Sequence, residues 1–409
     1  MNAGHKADAR GLALKLVGQV KGQRRSIEEI CRRSADFARL DLRDQALCRA
    51  LITHTFRHHH ALDATFAPHL SRPIESLSPA ALGPLRLGTV ELLVLKNQSH
   101  AALNETVKLA PKALKGLVNA VLRKLNQDAH AETRFWATPA LPPWMAEKWT
   151  ADFGPKKATA LQLGLRRLPE MDLSFKPGVP LLGTALLPCH GRVPAGNPRA
   201  LPGFDTGDWW VQDISASLPV RMLGDMQGQR VLDMCAAPGG KTLQLAAAGA
   251  RVTALDISKT RLKRLQENLQ RTSLKAEVIC TDALNWQPNE PFDAIVLDAP
   301  CSASGTLRRH PEWPWIHTHK DQLQHVWLQG QLIDRALTWL KPGGKLVYAV
   351  CSLFPEEGEQ QIAGRATLIK TKPEDIPNWA WNTKKGWLRT TPDPDLNKDG
   401  FFAALLKQN

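Results

Sequence analysis

Arg230-Val231-Leu232-Asp233-Met234-Cys235-Ala236-Ala237-Pro238-Gly239-Gly240-Lys241-Thr242 decides the fold of this chain. Its first five residues read as a short buried strand, its middle as a glycine turn, and Thr242 as the opening of a helix. Gly239 and Gly240 let the backbone come close to a ligand, and a helix N-terminus presents free N–H groups. Outward from this point strands and helices alternate. Strand candidates lie at 230–234, 251–256, 276–281, 292–297 and 345–350, and helix candidates at 242–248, 259–271 and 322–340. Alternation at this spacing predicts a parallel sheet with helices on both faces, binding ligands beyond the carboxyl ends of its strands. The apolar stretch 401–406 reads as a final strand at the sheet's edge.

Residues 8–128 read as mostly helical, because Ala13, Leu14, Leu16 and Val17, then Leu47, Leu51 and Ile52, recur at helical spacing. Residues 89–95 and 117–124 have the pattern of buried helices. Pro142 and Pro143 interrupt this periodicity, and a short helix is expected to run to Phe153. The Pro- and Gly-rich segment that follows, 176–202, cannot sustain a helix and predicts loops around short strands. The expected organisation is an all-α domain at 1–134, a small connecting subdomain at 135–205 and an α/β domain at 206–409.

A net charge of +14 sets this chain apart from an average globular protein, and residues 1–130, with 20 Lys and Arg against 11 Asp and Glu, carry +9 of it. A basic surface favours polyanions through counterion release, although a merely solvated basic face has the same composition. The polar start, through Arg10, lacks a signal-peptide pattern, and no apolar run approaches the length of a membrane span. Seven cysteines without regular spacing argue against a disulfide framework. A cytoplasmic protein with reduced thiols is expected, with no membrane or DNA partner and a monomer favoured. No metal is expected: there is no C-x-x-C pair, and His54 and His58, one helical turn apart, read as a solvated or partly buried helix face.

Three ligands compete for the glycine turn. A dinucleotide site would want G-x-G-x-x-G, which is absent; a phosphate loop would want a glycine where Cys235 stands, although Gly240-Lys241-Thr242 matches its end. The third is S-adenosylmethionine, whose methionine end suits Cys235, Ala236, Ala237, Pro238, Gly239, Gly240 and Lys241. Acidic residues after successive strands favour it. Asp256 can accept hydrogen bonds from ribose hydroxyls, Asp282 lies within reach of an adenine amino group, and Asp298 ends the next strand.

Cys301 and Cys351 each follow a strand on the sheet's reactive edge, in Asp298-Ala299-Pro300-Cys301 and Tyr348-Ala349-Val350-Cys351. Cys31, Cys48, Cys189 and Cys280 are expected to be small buried hydrophobes, as free cysteines commonly are. Paired thiols beside a methyl donor suit covalent activation of cytosine C5, an unreactive carbon. A thiolate adding to C6 pushes electrons onto C5, and a base must later remove the C5 proton. Arg308, Arg309, Trp313 and Trp315 either contact phosphate and base or pack internally, whereas Trp209 and Trp210 are expected in the core.

Residues 298–305, followed by Arg308-Arg309-His310-Pro311-Glu312, resemble the signature of the Nol1/Nop2/Sun family of RNA cytosine-5 methyltransferases. The turn at 235–241 and Cys351-Ser352 followed by Pro355-Glu356-Glu357 are similar to the same family. Residues 100–107 and 115–123 resemble the NusB-like, RNA-binding helical domain of its bacterial 16S ribosomal RNA branch. The resemblance implies a class I, Rossmann-like methyltransferase core, S-adenosylmethionine as cofactor and RNA, most readily 16S ribosomal RNA, as substrate. It implies Cys351 as nucleophile, Cys301 in product release and Asp298 beside both target base and cofactor. A same-family enzyme acting on transfer RNA, or a non-catalytic assembly factor, is the alternative. Against the family pattern, Ser174 and Lys176 stand where Arg and Asn are usual, and Gly358 where Asn is common.

Overall fold

The computed structural model describes residues 8–97, 100–139, 141–392 and 396–407. They form two units by contact: the chain up to Arg167 with Leu307–Thr318, and Leu168–Thr306 with His319 onward. Among the described residues no helix is long and apolar enough to cross a membrane.

The first unit is helical, as its periodicity predicts. Side-chain caps start its early helices: Asp8 accepts from Arg10 N at 3.1 Å and Gly11 N at 3.0 Å ahead of Ala9–Gln23, and Asp41 accepts from Asp44 N at 2.8 Å ahead of Leu42–Arg57. Lys115–Gln127 buries Val118, Val121, Leu122 and Leu125, one stripe of a 3.6-residue repeat. Ala13, Leu16, Leu51 and Ile52 are fully buried in the same core. Glu91 is buried too, held by Arg10 through Nε at 3.0 Å and Nη2 at 2.6 Å and by Thr106 Oγ1 at 2.5 Å, the multiple pairing a buried carboxylate requires. His54 and His58 are buried rather than solvated; their rings stack at 5.7 Å, and His58 lies against Phe135. Burial pushes His54 down to about 4, which keeps it neutral.

Leu307–Thr318 belongs to this helical unit although it lies far downstream. Trp315 stacks on His59 with ring centroids 4.1 Å apart and donates from Nε1 to Phe56 O at 3.2 Å. Arg57 donates to Arg308 O at 2.8 Å, and Arg24 to Ile316 O at 2.7 Å. Arg308 and Trp313 are buried. Of the two readings open for this segment, internal packing is the one realised for these side chains.

The second unit opens with a small antiparallel sheet of β1 (Met171–Phe175), β2 (Thr184–Leu187), β3 (His190–Val193) and β4 (Trp209–Val211), in the order β2-β3-β1-β4. The expected connecting subdomain is thereby divided: the helices Pro143–Phe153 and Pro155–Arg166 lie in the helical unit, and these strands in the second. Ser174 is buried and donates to Gln212 Oε1 at 2.8 Å, with His190 Nδ1 at 3.0 Å, so this position closes a polar network inside the protein. Trp209 and Trp210 are in the core, as expected.

The main sheet contains β5 (Arg230–Met234), β6 (Arg251–Asp256), β7 (Glu277–Cys280), β8 (Phe292–Asp298), β9 (Leu340–Val350), β10 (Thr367–Leu368), β11 (Trp381–Asn382), β12 (Trp387–Thr390) and β13 (Phe401–Lys407). Its order is β11-β12-β13-β9-β8-β5-β6-β7, with β10 on β13. The five strands from β7 to β9 are parallel, and β13 joins β9 antiparallel. β13 is not at the edge: β12 and β10 flank it, and six of its seven residues are buried, which only an interior strand with both faces covered allows. Strand order reverses direction at β5, so its carboxyl end is the topological switch point where such sheets open a crevice.

Candidate methyl-transfer site

Sheet order assigns each half of the site. On one side of β5, Asp256 ends β6 and Asp282 lies just beyond β7; on the other, Asp298 ends β8 and Cys351 follows β9. The turn after β5 runs through Cys235, Ala236, Ala237, Pro238, Gly239 and Gly240 to Lys241, with Cys235 at φ 63° and Gly239 at φ 108°. A Cβ on Gly239 would sit 2.2 Å from Leu265 Cδ1, so both conformation and space require glycine there. Asp256 ties this turn down, accepting from Ala237 N at 3.0 Å and Ser258 N at 2.8 Å. Asp282 accepts from Leu284 N at 2.9 Å.

Lys241 donates from Nζ to Asp298 Oδ2 at 2.6 Å, and its side chain is only 7% exposed. That pair answers the phosphate-loop reading: the ammonium is held by a carboxylate, and Asp256 and Asp298 place negative charge beside the turn that a polyphosphate would oppose. A zwitterionic methionine end with ribose and adenine beyond it fits these residues instead. Lys241 also lies 5.1 Å over the Phe401 ring. The Lys241–Asp298 pair was missed from the sequence, since the partners stand 57 residues apart.

Cys301 Sγ and Cys351 Sγ are 3.4 Å apart, within sulfur hydrogen-bond range. Strand pairing of β8 with β9 carries them together, and Ala299 N to Ala349 O at 2.9 Å and Gly305 N to Cys351 O at 3.0 Å extend that pairing past the strand ends. Gly305 also lies flat against Gly400, whose O would be 2.1 Å from an added Cβ. The hydrogen bond to Cys351 and then burial push the Cys301 thiol well up, so it keeps its proton. Burial likewise raises Cys235 in the turn. Cys31 and Cys48 are buried, whereas Cys189 is half-buried and Cys280 is exposed at the end of β7, contrary to expectation for that pair. Cys280 ends an edge strand in which no residue is fully buried, and Cys189 occupies a turn at φ 55°.

Asp233, beneath the turn, is fully buried; burial pushes its carboxyl up to about 7 from 3.8, against the hydrogen bond from Thr242 Oγ1 at 2.5 Å and the charge of Lys241. The folded state therefore holds a proton that the unfolded chain releases near its ordinary value. Stability from this group is full below pH 3.8 and is lost as pH rises through about 7. Asp233→Asn should show a shallower fall of unfolding midpoint from acidic to neutral pH than the wild type. Denaturant melts across that window check it, and parallel slopes would count against the assignment.

A Rossmann-like sheet with a glycine turn at its switch point, acidic residues on successive strand ends and a thiol pair beyond β8 and β9 defines an S-adenosylmethionine-dependent methyltransferase. The profile described as 16S rRNA methyltransferase RsmB/F matches residues 220–407, and that of the NusB family matches residues 7–127. Ribosomal RNA small subunit methyltransferase B of Klebsiella pneumoniae (strain 342) is 32% identical over 437 residues, covering 99% of this chain and 99% of its own. The crystal structure of PH0851 shares the fold at TM-score 0.73 and 22% identity, covering 98% of both chains. A methyltransferase homolog protein from Pyrococcus horikoshii aligns at TM-score 0.52 and 27% identity, covering 66% of this chain and 100% of its own. The chain belongs to the RsmB/F family of ribosomal RNA methyltransferases, with a NusB domain at its N-terminus.

Proposed function

We propose that this enzyme methylates C5 of a cytosine in 16S ribosomal RNA through a covalent bond between Cys351 Sγ and C6 of the base. The observation that carries this reading is the pair of thiols 3.4 Å apart beyond adjacent strands, on the opposite side of the switch point from Asp256 and Asp282. S-adenosylmethionine, when bound, supplies an electrophilic methyl group on sulfonium. The backbone of residues 235–241 holds its methionine end, Asp256 its ribose and Asp282 its adenine.

Cys351 adds as thiolate to C6, and the displaced π electrons make C5 nucleophilic. After C5 is methylated its proton must leave; electrons of that C–H bond then re-form the C5–C6 double bond and expel the Cys351 thiolate. Water takes the C5 proton, and Cys301, which keeps its own proton through its bond to Cys351 and burial, donates a hydrogen bond to the departing Cys351 sulfur and so promotes release rather than making the first attack. Asp298, oriented by Lys241, accepts from the cytosine amino group and fixes the base. The cytosine must be unpaired or flipped out, because C6 is shielded within a stacked helix. The NusB domain, where most of the net positive charge lies, holds the RNA.

Labelled S-adenosylmethionine with naked small-subunit RNA tests the reading, followed by nucleoside analysis. Label in 5-methylcytosine of 16S RNA is the expected result. Label appearing only in transfer RNA would move the substrate, and RNA binding without any transfer would leave an assembly factor.

A further inference from the structure

Beneath the two thiols lies a carboxylate that the reaction above does not use. Glu357 is fully buried, and its two oxygens accept four hydrogen bonds from neutral donors. Oε1 takes Ser302 N at 2.8 Å and Gln329 Nε2 at 3.2 Å; Oε2 takes Ser352 Oγ at 2.5 Å and the Ser302 hydroxyl. Ser302 and Ser352 are the residues immediately after Cys301 and Cys351. One carboxylate thus grips both thiol-bearing loops one residue past each sulfur.

The surroundings make this grip rigid. Tyr348 Oη donates to Glu357 O at 2.6 Å, fixing the backbone that carries the carboxylate. Gln329 also donates to Pro300 O at 2.8 Å, and Leu353 N donates to Ser304 Oγ at 3.0 Å. A carboxylate accepts on both oxygens and donates from neither, so it forces both serine hydroxyls to point their protons inward. An apolar residue here would strand the Ser302 N–H without an acceptor inside the protein.

We infer that Glu357 is a positioning residue: it braces the Cys301 and Cys351 loops against each other and so sets the distance between the two sulfurs. This rests on the proposed reading that both thiols serve one cytosine, where a displacement of an ångström is worth a large factor in rate. The negative charge of Glu357 also adds to the causes that keep Cys301 protonated.

The test reads thiol geometry directly. Dibromobimane bridges two thiols a few ångströms apart, and peptide mapping locates the bridge at Cys301 and Cys351. Glu357→Ala should form that bridge about tenfold more slowly than the wild type, as expected for sulfurs no longer held together, while S-adenosylmethionine affinity measured by calorimetry stays unchanged. Glu357→Gln should restore bridging, because serine hydroxyls can turn to accept from its amide. In that variant alkylation of Cys301 should begin at lower pH than in the wild type, a shift that a purely space-filling role would not produce. Bridging at the wild-type rate in Glu357→Ala overturns the inference. So does joint loss of bridging and cofactor binding that Glu357→Gln fails to rescue. If Glu357→Ala does not fold, Ser352→Ala takes its place: slow bridging supports the brace, and an unchanged rate refutes it. Bridging needs no RNA, so a wild type inactive on every RNA would sink the methylation reading without touching this result.

Discussion

Cys351→Ala is expected to abolish methyl transfer, lowering the single-turnover rate by at least about 10⁴-fold, the scale seen when a covalent nucleophile is removed. The size of the effect follows from the substrate. Without a thiolate on C6, cytosine C5 lacks the electron density to attack a sulfonium carbon, and no neighbouring group replaces that addition. Cys301, although 3.4 Å away, keeps its proton and sits on a different loop. S-adenosylmethionine affinity should be unchanged, because the turn at 235–241 and Asp256 are untouched. Transfer by Cys351→Ala within tenfold of the wild type would reject the covalent route through this thiol.

Cys301→Ala should fail at the other end of the reaction. Addition and methylation can proceed, leaving a C6 bonded to Cys351 Sγ and a C5 that bears both the methyl group and its original proton. That proton has to depart before the carbon–sulfur bond can break. The expected result is a protein–RNA adduct, stable to denaturant, carrying one labelled methyl group per chain and forming with multiple turnover suppressed about 10²-fold or more, the usual worth of positioned proton transfer. Gel mobility with labelled RNA reads it out, and the double variant Cys301→Ala/Cys351→Ala should form none. Normal turnover by Cys301→Ala, with no adduct, would show that another group completes the cycle.

The parts of the site closest to the glycine turn were legible in the sequence because each is coded locally. β5 and β6 begin and end where the sequence pattern puts them, and Cys301 and Cys351 follow strands that end at Asp298 and Val350. What could not be read depends on residues that meet only after folding. β13 reads as an edge strand because β10 and β12, which pair with it, are two and four residues long, too short to announce themselves. Trp315 offered two equal readings until His59 and Phe56 supplied its partners from more than 250 residues upstream. Lys241 was placed in the turn but not against Asp298. The Cys-Ser dipeptide occurs twice, at 301–302 and 351–352, and that repetition was the available hint of the buried carboxylate joining them.

Leu307–Thr318 packs with the helical unit though it is encoded after four strands of the main sheet, β5 to β8, have ended. During synthesis the N-terminal helices leave the ribosome first and, at roughly 5–20 residues per second, wait several seconds or more for this segment to follow. Until then His59 lacks its stacked indole and Arg57 the carbonyl of Arg308. The nascent helical unit is therefore complete only after β8 and Cys301 have been made, while β9 and Cys351 are still to come.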